Sequence, residues 1–132
     1  MATARYLFPK TARLYLRKEI SELITSGKTI HVSPLKIFYR FVPSGIFPIK
    51  MAVAVPKRNF KPAVDRNRIK RQIREAYRLN CQEAVKYFQE KGITVHVLFV
   101  YNSKTPPDYV DLSYKIILIL QRLQEMHERN SC

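Results

Sequence analysis

The apolar period of this chain switches from two to about 3.6 and back to two between residues 49 and 101, which demands a sheet with helix packed on it. The stretch "IKMAVAV" at 49–55 alternates Ile49, Met51, Val53 and Val55 with Lys50, Ala52 and Ala54, as a strand does. After it, Ile69, Ile73 and Ala76 recur at helical spacing, flanked by Tyr77 and Leu79, with Pro62 suited to the first turn. Alternation returns in "ITVHVLFVY" at 93–101, entered after Gly92 and broken by "SKTPPD" at 103–108. A further alternating run lies upstream, where Leu35, Ile37, Tyr39 and Phe41 interleave with Lys36, Phe38, Arg40 and Val42. The segment "PSGIFP" at 43–48 is the expected turn or loop joining it to 49–55.

Helical spacing also marks both ends. Leu16, Ile20, Leu23 and Ile24 form a short amphipathic stripe among Arg17, Lys18, Glu19 and Glu22, and Gly27 stands where a C-terminal cap belongs. The ending Gly27-Lys28-Thr29 matches a phosphate-binding loop, but that motif needs a glycine at position 22 and finds Glu22, so the cap is the better reading. Leu112, Ile116, Ile119, Leu120 and Leu123 predict a C-terminal helix. No repeat, linker or low-complexity segment divides the 132 residues, which are read as a single α+β domain spanning 1–132.

Charge narrows the function. The chain carries 24 Lys and Arg against 10 Asp and Glu, a net +14, which calls for a polyanionic partner or a membrane surface. With 46% hydrophobic residues it builds a core and is no disordered polycation. Between Lys57 and Arg78 lie nine basic residues (Lys57, Arg58, Lys61, Arg66, Arg68, Lys70, Arg71, Arg74, Arg78) and two acidic ones (Asp65, Glu75). Half of the net charge thus falls in 22 residues. On a helical projection Asn67, Lys70, Arg71, Arg74 and Arg78 oppose the apolar stripe, while Arg66 and Arg68 lie towards its flanks, Arg68 near Gln72 and Glu75. Like charges at i, i+3 and i+4 repel, so a face built for solubility alone would interleave both signs. Arginine outnumbers lysine here, as suits forked donors gripping phosphate oxygens, and the run reads as a nucleic-acid-binding face.

Other chemistries find little footing. Cys81 and Cys132 form no metal-ligand pair and suit a reducing compartment. No signal-peptide pattern opens the chain, and the longest apolar run, "IILIL" at 116–120, is far below spanning length, so a soluble, cytoplasmic protein is expected. His31, His96 and His127 accompany no metal or nucleophile motif; His96, inside a strand, is read as structural ahead of functional. Asp108 and Asp111 fit the cap and first turn of the last helix better than a catalytic carboxylate pair. No catalytic residue and no metal site is expected in the protein.

The stretch "RNRIKRQIREAYR" at 66–78, preceded by "MAVAVPKRN" at 51–59, closely resembles the signature of the bacterial ribonuclease P protein subunit, and "ARLYLRKEISELITSGKT" at 12–29 resembles that family's first helix. The resemblance implies a two-layer α/β sandwich with a four-stranded sheet in the order αβββαβα and a left-handed βαβ crossover, the fold termed ribosomal protein S5 domain 2-like. It implies an accessory subunit of an endonuclease that removes the 5′ leader of precursor tRNA. Catalysis belongs to the RNA subunit, with Mg2+ needed by the RNA-protein holoenzyme and no cofactor bound by the protein alone. Partners would be the ribonuclease P RNA and precursor tRNA, with no membrane and no obligate protein partner. RNA contacts would come from Lys57, Arg58, Lys61, Arg66, Asn67, Arg68, Lys70, Arg71, Arg74 and Arg78. A separate leader-binding cleft would lie between the first helix and the sheet, at Ile20, Ile24 and Phe38. Aromatic residues are usual at those three positions, and only Phe38 can stack on a base, so leader binding should lean more on Lys36, Arg40 and Lys50. A ribosomal or ribosome-assembly protein is the alternative, and a DNA-binding regulator a weaker one, since the basic helix is bounded by strands.

Overall fold

In the computed structural model, which describes residues 17–43 and 48–131, the alternating runs pair into one mixed four-stranded sheet. The element order is α1 (Arg17–Ser26), β1 (Lys28–Val32), β2 (Leu35–Pro43), β3 (Ile49–Ala54), α2 (Ala63–Asn80), α3 (Gln82–Lys91), β4 (Ile93–Tyr101) and α4 (Tyr109–Ser131). Across the sheet the strands run β1-β2-β4-β3. β1 is antiparallel to β2, β2 to β4, and β3 is parallel to β4. β2 and β3, consecutive in sequence, are therefore not neighbours, because β4 inserts between them. Parallel neighbours cannot be joined by a hairpin, so α2 and α3 form the crossover from β3 to β4.

The period of two sorts the strands onto two faces. Leu35, Ile37 and Tyr39 of β2, Ile49, Met51 and Val53 of β3, and Val95, Val97, Phe99 and Tyr101 of β4 are buried together. Over them lie Ile69, Ile73, Ala76 and Tyr77 of α2, Ala84 and Phe88 of α3, and Leu112, Ile116, Ile119, Leu120 and Leu123 of α4. Each large apolar side chain buried there contributes about 1.5–3 kcal/mol. The opposite face holds a smaller cluster, in which Leu23 of α1 meets Leu98, with Ile20, Phe38, Ala52, Ala54 and Val100 around them. α1 thus sits across the sheet from α2, α3 and α4.

Two glycines set element ends for different reasons. At Gly27 the backbone N–H donates to Leu23 O at 2.9 Å, and a Cβ would lie 2.4 Å from Leu23 O and 3.1 Å from Tyr39 O, so close approach excludes any side chain. Gly92 ends α3 in the left-handed conformation, with φ of 68°.

The observed order contains one helix more than the expected αβββαβα. Only Cys81 separates α2 from α3, and its φ of −94° and ψ of −3° keep the two helices nearly continuous. The Tyr87 hydroxyl fastens α3 to α4: it donates to Glu128 Oε1 at 2.7 Å and accepts from His127 Nδ1 at 2.9 Å, beside the rings of Phe41 and Phe88. At the start of α4, the Asp108 backbone O accepts from Leu112 N–H at 2.8 Å, and Asp111, in the first turn, pairs with Lys115 at 2.8 Å. Leu16, Gly45 and Cys132, which figure in the sequence reading, lie outside the described residues.

Candidate nucleic-acid interface

α2 turns Ile69, Ile73, Ala76 and Tyr77 into the core and leaves its other side to solvent. Tyr77, expected on the flank, is fully buried, whereas Leu79 is 41% exposed. Asn67, Arg68 and Arg71 are exposed, and Lys70 and Arg74 are half-buried. Lys57, Arg58 and Lys61, in the connector between β3 and α2, are also exposed, so the cations extend beyond the helix N-terminus.

Arg78 and Arg66 are among the arginines of the run that are engaged inside the protein. Arg78 forms a bidentate pair with Glu75, Nε to Oε1 at 3.1 Å and Nη2 to Oε2 at 2.5 Å, with its side chain 19% exposed. That hydrogen bond with Glu75 pushes the Arg78 pKa up, holding it charged, and the pair adds no net charge to the face. Arg66 donates through Nη1 to Phe60 O at 2.9 Å and Lys61 O at 2.6 Å. The i, i+3 spacing already makes Glu75 a helical neighbour of Arg78, whereas the Arg66 bonds depend on how the chain turns into the helix, which a helical projection does not show.

The second surface is the sheet face beneath α1. Even-numbered positions of β2 and β3 bring Lys36, Phe38, Arg40 and Lys50 onto it. His96 of β4 pairs with Arg40 on one side and Lys50 on the other, so the three side chains form a row across neighbouring strands about 4.8 Å apart. The alternation within 93–101 assigns His96 a face, but the strand order that flanks it with two cations is non-local. One residue pair along, Phe38 is half-buried against the Leu23 and Leu98 cluster, with Lys36 Nζ 5.0 Å from its ring centroid. Arg40 Nη1 donates to Glu22 Oε2 of α1 at 3.0 Å, and both side chains are nearly half exposed. Of the two isoleucines, Ile20 packs on the Leu23–Leu98 cluster, and Ile24 is 52% exposed at the helix edge.

Among the described residues no group of three or more His, Cys, Asp or Glu could hold a metal ion. Burial pushes the Cys81 thiol up to about 12, leaving it protonated and unreactive near neutrality. No helix among these residues is long and apolar enough to cross a membrane.

A mixed four-stranded sheet with helices on both faces, one of them turning an arginine-rich side outward, defines a class: a small basic α+β protein with a surface suited to polyanions. The Ribonuclease P family model matches residues 8–124. The chain belongs to the bacterial ribonuclease P protein family, the protein component of that enzyme, whose work is the 5′ maturation of tRNA. It is 41% identical over 101 residues to the ribonuclease P protein component of Porphyromonas gingivalis, covering 76% of this chain and 74% of the relative. With that of Chlorobium phaeobacteroides it shares 33% identity over 122 residues, 83% of this chain and 84% of the relative. Its fold is similar to that of the RNase P protein of Staphylococcus aureus, with a TM-score of 0.63 at 16% identity over 86% of this chain and 96% of the other. The RNase P protein from Thermotoga maritima gives a TM-score of 0.63 at 20% identity, over 83% and 96%. Family membership selects the ribonuclease P reading over a ribosome-assembly protein or a DNA-binding regulator.

Proposed function

We propose that this protein binds the ribonuclease P RNA through the outward side of α2 and the 57–61 connector, while the sheet face beneath α1 receives the 5′ leader of precursor tRNA. The observation that carries the first half is charge placement. Nine cations face two acids between Lys57 and Arg78, and the most exposed of them lie on the side turned from the core. Such a surface is costly for the free protein through self-repulsion and favourable once RNA phosphates neutralise it and release counterions. The leader half is supported by Arg40 and Lys50, in register on either side of His96 and beside Phe38: Lys50 and the guanidinium hydrogens that Arg40 does not give to Glu22 are phosphate donors next to one ring able to stack on a base.

In this reading the RNA subunit holds the Mg2+ ions and performs the hydrolysis, no further protein subunit is required, and the enzyme works in the cytoplasm. The protein positions substrate and lowers the repulsion between two polyanions, which is an orientational and electrostatic contribution. Reconstitution tests it. The purified protein alone should not cleave precursor tRNA, and adding it to the RNA subunit from the same source should raise cleavage at limiting Mg2+. Robust cleavage by the protein alone, free of contaminating nuclease, would refute the subunit reading.

A further inference from the structure

Arg66 occupies the first turn of α2, where the positive end of the helix dipole disfavours a cation. Its hydrogen bonds account for the placement. Nη1 spends its two hydrogens on Phe60 O and Lys61 O, at 2.9 and 2.6 Å, tying the helix to the connector that enters it. Pro62, the N-cap residue, has no side-chain hydrogen bond to offer there. The connector is also held by Asn59 N–H, which donates to Pro56 O at 3.1 Å, and by the buried Phe60 ring, which lies 6.2 Å from that of Tyr101. Lys57, Arg58 and Lys61 stand exposed along this short pinned segment.

We propose that Arg66 is a positioning residue, fixing the connector so that Lys57, Arg58 and Lys61 meet the RNA in a preset geometry, and that its effect on RNA binding passes through those three cations. The inference rests on the reading that the connector contacts the RNA subunit. Without the two carbonyl bonds the same cations still attract RNA, but the segment must be ordered at the moment of binding, and affinity falls.

A mutant cycle on the full-length protein with the ribonuclease P RNA decides it. Arg66→Met keeps the apolar stem and removes charge and donors; it is compared in the wild-type background and in one carrying Lys57→Ala, Arg58→Ala and Lys61→Ala. The expected loss of affinity is roughly tenfold in the wild type, what one charge-assisted hydrogen bond is worth, and less than about twofold in the triple variant. Equal losses in both backgrounds would overturn the inference, because Arg66 would then hold phosphate itself. Undiminished affinity of the triple variant would overturn the connector's role in RNA binding and the inference with it. Amide exchange in the RNA-free protein gives an independent reading. Arg66→Met should speed exchange at 57–61 and leave the buried turns of α2 and α4 unchanged; unchanged exchange at the connector, or melting of the whole fold, would count against the proposal.

Discussion

Removing Arg68 and Arg71 together should alter the salt dependence of RNA binding more than it alters the fold. Both side chains are exposed, neither takes part in an ion pair among the described residues, and both lie off the stripe of Ile69, Ile73, Ala76 and Tyr77. If each neutralises one phosphate, the double change to alanine lowers the slope of log affinity against log salt by about 1.4 to 1.8. Over a roughly fourfold rise in salt the wild type then loses about tenfold more affinity than the variant. Stability should hold or rise by a few tenths of a kcal/mol, because the two arginines sit at i and i+3 and repel. The assay is a set of equilibrium binding curves on the ribonuclease P RNA at several salt concentrations, with a thermal melt of each protein. An unchanged slope in a folded variant would show that this side of α2 does not face RNA, and a large loss of stability would show that the two arginines support the core.

Other consequences of the structure are as direct. Phe38→Ala in the reconstituted holoenzyme should weaken precursor tRNA binding by about 1–3 kcal/mol if the ring stacks on a leader base, with little change for mature tRNA; equal losses for both ligands would remove Phe38 from the leader site. Ile73→Ala, at a fully buried position of α2, should cost about 2–5 kcal/mol by chemical denaturation, and a cost below about 1 kcal/mol would contradict the packing of α2 on the sheet. The Cys81 thiol stays protonated in the fold to about 12 and ionises from 9.0 once unfolded, so its contribution to stability is complete below pH 9.0 and is lost as pH rises towards 12. Cys81→Ala should flatten that part of the stability curve, and the peptide bearing Cys81 should resist alkylation at neutral pH until the protein unfolds; ready alkylation of the native protein would contradict its burial.

Local patterning made α2, α4, β2, β3 and β4 legible, because each buries a regular set of side chains, to which central β4 adds Thr94 and Leu98 on its other face: Leu112, Ile116, Ile119, Leu120 and Leu123 all face inward in α4, as their spacing required. β1 left no such signal. Of its five residues only Ile30 is buried, since an edge strand paired on one side can leave Lys28, Thr29 and His31 in solvent. α3 was hidden by continuity, as no glycine or proline marks its start after Asn80 and Cys81 barely interrupts the helical path. The placement of β4 between β2 and β3 depends on pairing between distant segments, which no local period encodes. The basic run was visible as charge, but the division of labour within it was not. Arg66, Arg71 and Arg78 look alike in sequence; the turn at Phe60 and Lys61, and the reach of Glu75, set them apart.

The central claim is that α2 and the sheet face beneath α1 serve different RNAs, and crosslinking tests it most directly. A photoreactive phenylalanine analogue would replace Phe38 in one protein and Arg71 in another, each assembled with the ribonuclease P RNA and precursor tRNA labelled in its leader. Illumination should join position 38 to the leader and position 71 to the RNA subunit, in complexes that still cleave the substrate. Crosslinks from both positions to the same RNA, or with the two targets exchanged, would contradict the separation of the two surfaces.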